Sequence, residues 1–315
     1  MQTVLSFENV TKRYGGITAV SELSFAVRPG EMFGLIGPDG AGKTTTIRLL
    51  CGLLHADGGT VRVMGHDPVR EHARVTSEVG YLSQRFSLYG DLSIDENIAF
   101  FAEIHDVWNY AERRTRLLEL TGLLPFRSRL ADRLSGGMKQ KLALACTLVH
   151  EPRVILLDEP TTGVDPVSRR EFWKLLAEFL EQGITILVST PYLDEAERCH
   201  RVALLHEGRL LALDTPDRLR LTLPGQVVET IVSDQPSALP RLTAHPAIAD
   251  VHVFGERMHV RVKPDVGGDA AGLVRHALAG LEVRAARVVP ASLEDVFISQ
   301  LAALDRGSAG ARSDG

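Results

Sequence analysis

Aromatic residues are scarce, at 6% of the chain, and cysteines scarcer still, with three in 315 residues. Cys51, Cys146 and Cys199 are scattered, which excludes a disulfide framework and a thiolate metal cluster. They read as three small buried hydrophobes in a reduced compartment. No run approaches the roughly 18 apolar residues of a membrane span, so the chain is not expected to cross a bilayer. The stretch from Met1 to Val10 lacks a basic-then-apolar signal layout and alternates like a strand instead. An excess of positive charge is also missing. Thirty-five Lys plus Arg against 40 Asp plus Glu leave a net charge of -5, so the total does not call for nucleic acid as a partner. What remains is an ordinary globular composition, 44% hydrophobic and 24% charged. At roughly 150 residues per domain the length predicts two domains.

The pattern along the chain predicts an α/β fold. Val4 to Val10 and Ser24 to Val27 read as strands, and Met32 to Ile36 is a short apolar run leading into Gly37. Thr44 to Leu50 has helical spacing. Ile94 to Ile104 and Ala111 to Leu120 predict a helical insert between about 85 and 134. Val154 to Leu157 reads as a parallel strand buried on both faces and ends on Asp158 and Glu159. Asp165 and Pro166 open a helix that buries Phe172, Leu175, Leu176, Phe179 and Leu180, and Ile184 to Val188 is the next strand. These elements predict a first domain over 1–220, with a helical subdomain over about 85–150 and a mainly parallel sheet. After Pro224 and Gly225 the order becomes β-α-β-β-α-β, which predicts a small α+β domain of ferredoxin-like type over 226–304. Residues 305–315, rich in Gly, Ala, Ser and Arg, are expected to be a disordered tail.

Three segments carry chemistry. Gly37, Pro38, Asp39, Gly40, Ala41, Gly42, Lys43 and Thr44 fit the phosphate-loop pattern, between a strand and a helix as that loop requires. The glycines let backbone N–H groups curl around a phosphate at a helix N-terminus. Lys43 supplies a point charge to the β- and γ-phosphates, and the Thr44 hydroxyl suits Mg²⁺. Asp158, at the carboxyl end of a buried strand, needs a cation nearby and can face that Mg²⁺. Its neighbour Glu159 is the natural general base for an attacking water. Ser135, Gly136 and Gly137 place a hydroxyl and bare N–H groups at a second helix start. One nucleotide does not need two such loops from one chain, so this one is expected to meet the γ-phosphate held by another subunit.

Together these segments resemble the nucleotide-binding subunit of an ATP-binding cassette (ABC) transporter, over roughly residues 4–215. The family's phosphate loop matches Gly37 to Thr45, its signature loop Leu134 to Gln140, its acidic motif Val154 to Pro160 and its interface aspartate loop Gly163 to Asp165. The resemblance implies a P-loop NTPase cassette that binds ATP and Mg²⁺, with Thr44, Gln84 and Asp158 near the metal. It also implies Tyr14 stacked on adenine, and Thr45 among the phosphate contacts. The implied partners are an integral membrane permease and a second cassette, identical or not, with no nucleic acid. The implied location is the cytoplasmic face of the membrane, as a peripheral subunit.

Within the family, Arg85 to Tyr89, the phosphate loop and Ser135 to Lys141 resemble type-2 multidrug exporters. Pro290 to Ile298 resembles the close of daunorubicin-type exporter ATPases. Phe86, Leu88 and Tyr89 either offer an apolar contact to a permease helix or fill the core of the insert itself. Two positions depart from the pattern. Asp39 stands where relatives usually have Asn, and its carboxylate is repelled by triphosphate unless it points away. Pro191 stands where relatives carry a histidine that contacts the γ-phosphate, and proline has no donor. His200 and His206 lie too far along the chain to substitute. The chain's own site is therefore expected to bind ATP and turn it over slowly, in an exporter ATPase or, as alternatives, in a regulatory cassette with weak hydrolysis or a soluble non-transport member of the family.

Overall fold

Met32 to Ile36 and Val154 to Leu157 contain no polar side chain, so each can lie only in a sheet covered on both faces. The computed structural model, which describes residues 3–84 and 88–311 with side chains through residue 304, shows both as interior strands of one sheet.

The chain forms two compact units, Met1–Asp214 and Thr215–Gly315. In the first, strands β1 (Leu5–Tyr14), β2 (Ile17–Val27) and β3 (Met32–Ile36) precede helix α1 (Lys43–Leu50). Next come β4 (Gly58–Val63), α2 (His72–Glu78) and β5 (Val79–Leu82). Helices α3 (Ile94–Ile104), α4 (Ala111–Leu120) and α5 (Gly136–Leu148) follow. The unit closes with β6 (Val154–Asp158), α6 (Pro166–Glu181), β7 (Thr185–Thr190), the short α7 (Leu193–Ala196), β8 (Arg201–His206) and β9 (Arg209–Asp214). The six-stranded sheet runs β5-β6-β7-β3-β8-β9, parallel except for the hairpin strand β9. Every residue of β3, β6 and β7 is buried. Each such Leu, Ile or Val contributes about 1.5–3 kcal/mol relative to an exposed side chain.

A second, antiparallel sheet of order β2-β1-β4 belongs to the same unit. The sequence shows only parts of it, because its strands carry Ser, Thr, Lys and Glu on a half-exposed face. Phe7 and Phe25 stack at 4.7 Å, and Phe25 stacks on Phe33 of β3 at 5.3 Å, so an aromatic column joins the two sheets. The three cysteines are free and buried, and burial raises all three thiols well above their ordinary range.

The second unit begins with α8 (Pro216–Leu221), earlier than the boundary at 220 read from sequence. Thr215 caps that helix and Leu219 is buried in it. The helix packs on the last helix, α11 (Leu293–Ala311). Between them lie β10 (Gln226–Val232), α9 (Gln235–Thr243), β11 (Ile248–Phe254), β12 (Arg257–Val262), α10 (Ala270–Ala277) and β13 (Val283–Val289). The antiparallel order β11-β12-β10-β13 is that of a split β-α-β-β-α-β unit. The backbone of α11 continues to Ala311, into the stretch expected as a tail from 305. No helix among the described residues is long and apolar enough to cross a membrane.

Candidate functional site

The carboxyl ends of β3, β6 and β7 lie side by side, and the candidate site is assembled there, where parallel α/β sheets bind ligands. The turn after β3 runs through Gly40 at φ 80° and Gly42 at φ 95°, left-handed conformations that favour glycine. A Cβ on Gly42 would also lie 2.5 Å from the Ala19 carbonyl oxygen. Gly42 begins α1 with no side-chain cap, which leaves the first-turn N–H groups for a ligand. These residues line a cavity of about 730 Å³ together with Ile17, Thr18, Ala19, Gln84, Glu159 and Glu207.

The side chains singled out from sequence converge on one hydrogen-bonded network. The Lys43 ammonium donates to the carbonyls of Gly37 at 2.8 Å and Pro38 at 3.1 Å, and lies 3.0 Å from Glu159 Oε1. Gln84 Nε2 donates to Glu159 Oε2 at 3.1 Å. The Thr44 hydroxyl donates to Asp158 Oδ1 at 3.1 Å, and the Ser189 hydroxyl to the same oxygen at 2.7 Å. Burial pushes the Asp158 carboxyl above its ordinary range. The Ser189 and Thr44 hydrogen bonds oppose that shift, and the adjacent Glu159 charge adds to it. Glu159 sits at φ 48°, an uncommon conformation for a glutamate, with its N–H bonded to Ser189 Oγ at 3.0 Å.

Not every expected residue joins the network. Asp39, Ala41 and Thr45 line the cavity, and Asp39 is exposed there. Tyr14 is not among the lining residues; it ends β1 half exposed, with the Lys12 ammonium 5.6 Å from its ring. Ser135, Gly136 and Gly137 do not line the cavity either. Ser135 caps α5, accepting from the Met138 N–H at 3.3 Å. A Cβ on Gly137 would come within 2.5 Å of Ser168 Cβ, so that glycine also has a packing role, whereas Gly136 faces open space. Arg85 to Ser87, and with them Phe86, lie outside the described residues. Tyr89, half exposed, meets the edge of Phe100 at 4.4 Å. His200 Nδ1 accepts from the Met32 N–H at 3.0 Å, a structural role, and His206 lies 4.0 Å from Glu207.

Sequence reasoning missed Ser189, which bonds both acidic residues, and the strand segment from Ile17 to Ala19 that walls the cavity. It also missed Glu207. Small polar residues at strand ends give no periodic signal, and only the register of β6 with β7 places Ser189 beside Asp158.

A glycine-built phosphate loop, its lysine and a strand-terminal acidic pair define a P-loop nucleotide-binding cassette. Residues 20–162 match the family described as ABC transporter. The chain is 42% identical over 304 residues to the probable multidrug ABC transporter ATP-binding protein YbhF of Escherichia coli (strain K12). That match covers 95% of this chain but 52% of YbhF, so the chain spans about half the length of that relative. It is 38% identical to the Nod factor export ATP-binding protein I of Paraburkholderia xenovorans (strain LB400), over 94% of this chain and 96% of the relative. Among solved structures, an ATP-binding subunit of an ABC transporter aligns with TM-score 0.64 and 30% identity, covering 70% of this chain and 93% of its own. A cassette solved as a dimer in a post-hydrolysis state, bound to ADP and Pi, aligns with TM-score 0.60 and 25% identity over 67% of this chain and 98% of its own. The chain belongs to the ATP-binding subunits of the ABC transporter family.

Proposed function

We propose that this chain hydrolyses ATP to power export of a drug or other hydrophobic solute through a separate membrane permease, working as one of two paired cassettes on the cytoplasmic face. The observation that carries the reading is the convergence of Lys43, Gln84, Thr44 and Glu159 on one glycine-walled cavity, with Asp158 behind it bonded to Thr44.

The roles follow from the chemistry. Triphosphate in the cavity competes with Glu159 for Lys43 and accepts from the first-turn N–H groups of α1. Release from Lys43 leaves the Glu159 carboxylate free to orient and deprotonate a water. The oxygens of Thr44, Asp158 and Gln84 are the hard donors Mg²⁺ prefers, and Thr44 and Asp158 are already in contact. Among the described residues no group of three or more His, Cys, Asp or Glu side chains suits a metal, which fits an ion held jointly with substrate phosphates. Bound Mg²⁺ would neutralise charge on the β- and γ-phosphate oxygens. Tyr14, at the end of β1, is assigned to the base on the family resemblance. Ser135, Gly136 and Gly137, away from the chain's own cavity, serve the nucleotide of the facing cassette. Export is supported by the names of the multidrug and Nod factor relatives.

Phosphate release from Mg-ATP by the purified chain tests the reading. Turnover is expected, and Lys43→Ala is expected to weaken equilibrium ATP binding more than tenfold. Absence of any phosphate release at saturating Mg-ATP would sink it.

A further inference from the structure

Glu195 is a fully buried carboxylate on the short helix α7, and four donors surround it. Its Oε1 accepts from Thr161 Oγ1 at 2.6 Å, from Arg169 Nε at 2.6 Å and from Trp173 Nε1 at 3.0 Å. Its Oε2 accepts from Thr190 Oγ1 at 2.5 Å. Burying a carboxylate is costly unless it is fully paired, and an apolar side chain often serves stability as well. What a carboxylate adds here is a fixed relation among its donors, which come from three separate segments.

Those segments bracket the site. Thr161 follows Glu159 in the loop after β6, and Thr190 ends β7 immediately before Pro191. The near end of the Glu159 loop is already fastened to β7, because the Glu159 N–H bonds Ser189 Oγ at 3.0 Å and lies 3.2 Å from the Ser189 carbonyl. Glu195 fastens the far end to the same strand through Thr161 and Thr190. Between the two fastenings Glu159 holds its left-handed backbone, a conformation that persists only where the surroundings impose it. Arg169 extends the clamp to α6. It pairs with Asp194 at 2.6 Å and stacks 4.7 Å from the Tyr192 ring, so the segment after Pro191 is anchored as well.

We propose that Glu195 is a positioning residue for hydrolysis, clamping the loop that carries Glu159 to the end of β7 through Thr161 and Thr190. This rests on the reading that Glu159 acts on ATP. Pro191 offers no donor to a phosphate, so the end of β7 is placed by this clamp rather than by a side chain reaching the nucleotide. The carboxylate of Glu159 then depends for its aim on a residue that touches neither it nor the substrate.

Thr161→Val and Thr190→Val remove one hydroxyl each while keeping shape, and Thr161→Ser and Thr190→Ser keep the hydroxyl. The purified full chain is measured for kcat and KM with Mg-ATP and for equilibrium ATP affinity, below the melting temperature of every variant. Each valine variant is expected to lose more than fivefold in kcat with KM and affinity within threefold of wild type, because the phosphate loop is untouched. Each serine variant is expected to keep kcat within threefold. Where a valine variant does not fold, Glu195→Gln replaces it, with the same loss in kcat and the same unchanged affinity expected. A loss in kcat below fivefold, or kcat and affinity falling together, overturns the clamp. A failure of the serine rescue overturns it too. Wild-type protein that releases no phosphate refutes hydrolysis itself, and the clamp falls with it; active wild type beside equally active valine variants refutes the clamp alone.

Discussion

Lys43 and Glu159 form a buried ion pair, 3.0 Å apart with side chains 3% and 7% exposed. Lys43 also keeps two carbonyl acceptors, Gly37 and Pro38, that do not depend on Glu159. Glu159→Gln preserves shape and those acceptors but removes the base. Because triphosphate no longer competes with a carboxylate for Lys43, its ATP affinity is expected to equal or exceed that of wild type, with hydrolysis reduced by roughly 10²–10⁴. Equilibrium binding and phosphate release on one preparation check both parts; a variant that still hydrolyses within tenfold of wild type would remove Glu159 from the chemistry.

Pro191 follows Thr190 at the end of a strand whose neighbour β6 runs into the acidic pair. A donor to the γ-phosphate is worth about 3–4 kcal/mol in a transition state, or roughly 10²–10³ in rate. Pro191→His is therefore expected to raise the single-turnover rate at least tenfold. No gain, with the variant folded and binding ATP, would mean that the end of β7 does not limit the reaction.

The two glycines after Ser135 separate packing from binding. Ala at 137 would collide with Ser168, so Gly137→Ala is expected to lower the melting temperature. Ala at 136 meets nothing within 4 Å, so Gly136→Ala is expected to melt like wild type while weakening ATP-dependent pairing of cassettes. Calorimetry beside sizing in ATP distinguishes the two. Pairing unaffected by Gly136→Ala would argue that the loop is a helix start and nothing more.

His150 stacks on His105 with ring centroids 3.8 Å apart. Burial, then the nearby His105, pushes its imidazole down to about 4 from 6.5, and burial lowers His105 in the same direction. Both rings are thus held neutral in the folded chain, while the unfolded chain takes up protons near the ordinary value. The unfolded state binds more protons between the two values. Stability is therefore full above about pH 6.5 and falls as the pH drops toward 4, by about 3 kcal/mol from His150 as an upper bound. Melting curves at pH 7 and pH 5 are expected to show the loss, and His150→Gln to reduce it. An equal loss in that variant would assign the dependence to other groups.

Much of the fold is legible because apolar runs such as Val154 to Leu157 leave no alternative to a covered parallel strand, and because Asp165 with Pro166 marks a helix start that the structure caps with two hydrogen bonds. The β2-β1-β4 sheet is hidden by its polar, half-exposed strands. The phosphate loop and the acidic pair are legible since their chemistry is local in sequence. Ser189 and Glu195 are not, since each matters only through partners brought to it by strand register or by a distant helix. Trp173 was missed within a helix whose other buried residues were read, because its ring is placed by an indole N–H reaching Glu195 rather than by the apolar stripe alone.

The separation of Ser135 from the cavity built on Lys43 makes a joint grip on ATP by two chains the decisive matter. Sizing of Glu159→Gln in saturating Mg-ATP addresses it directly. The variant should run at twice the mass of one chain with ATP and at the mass of one chain without it, and both Lys43→Ala and Ser135→Arg, each added to that background, should abolish the shift. A shift that survives Ser135→Arg, or none at any ATP concentration, would contradict a nucleotide held from both sides.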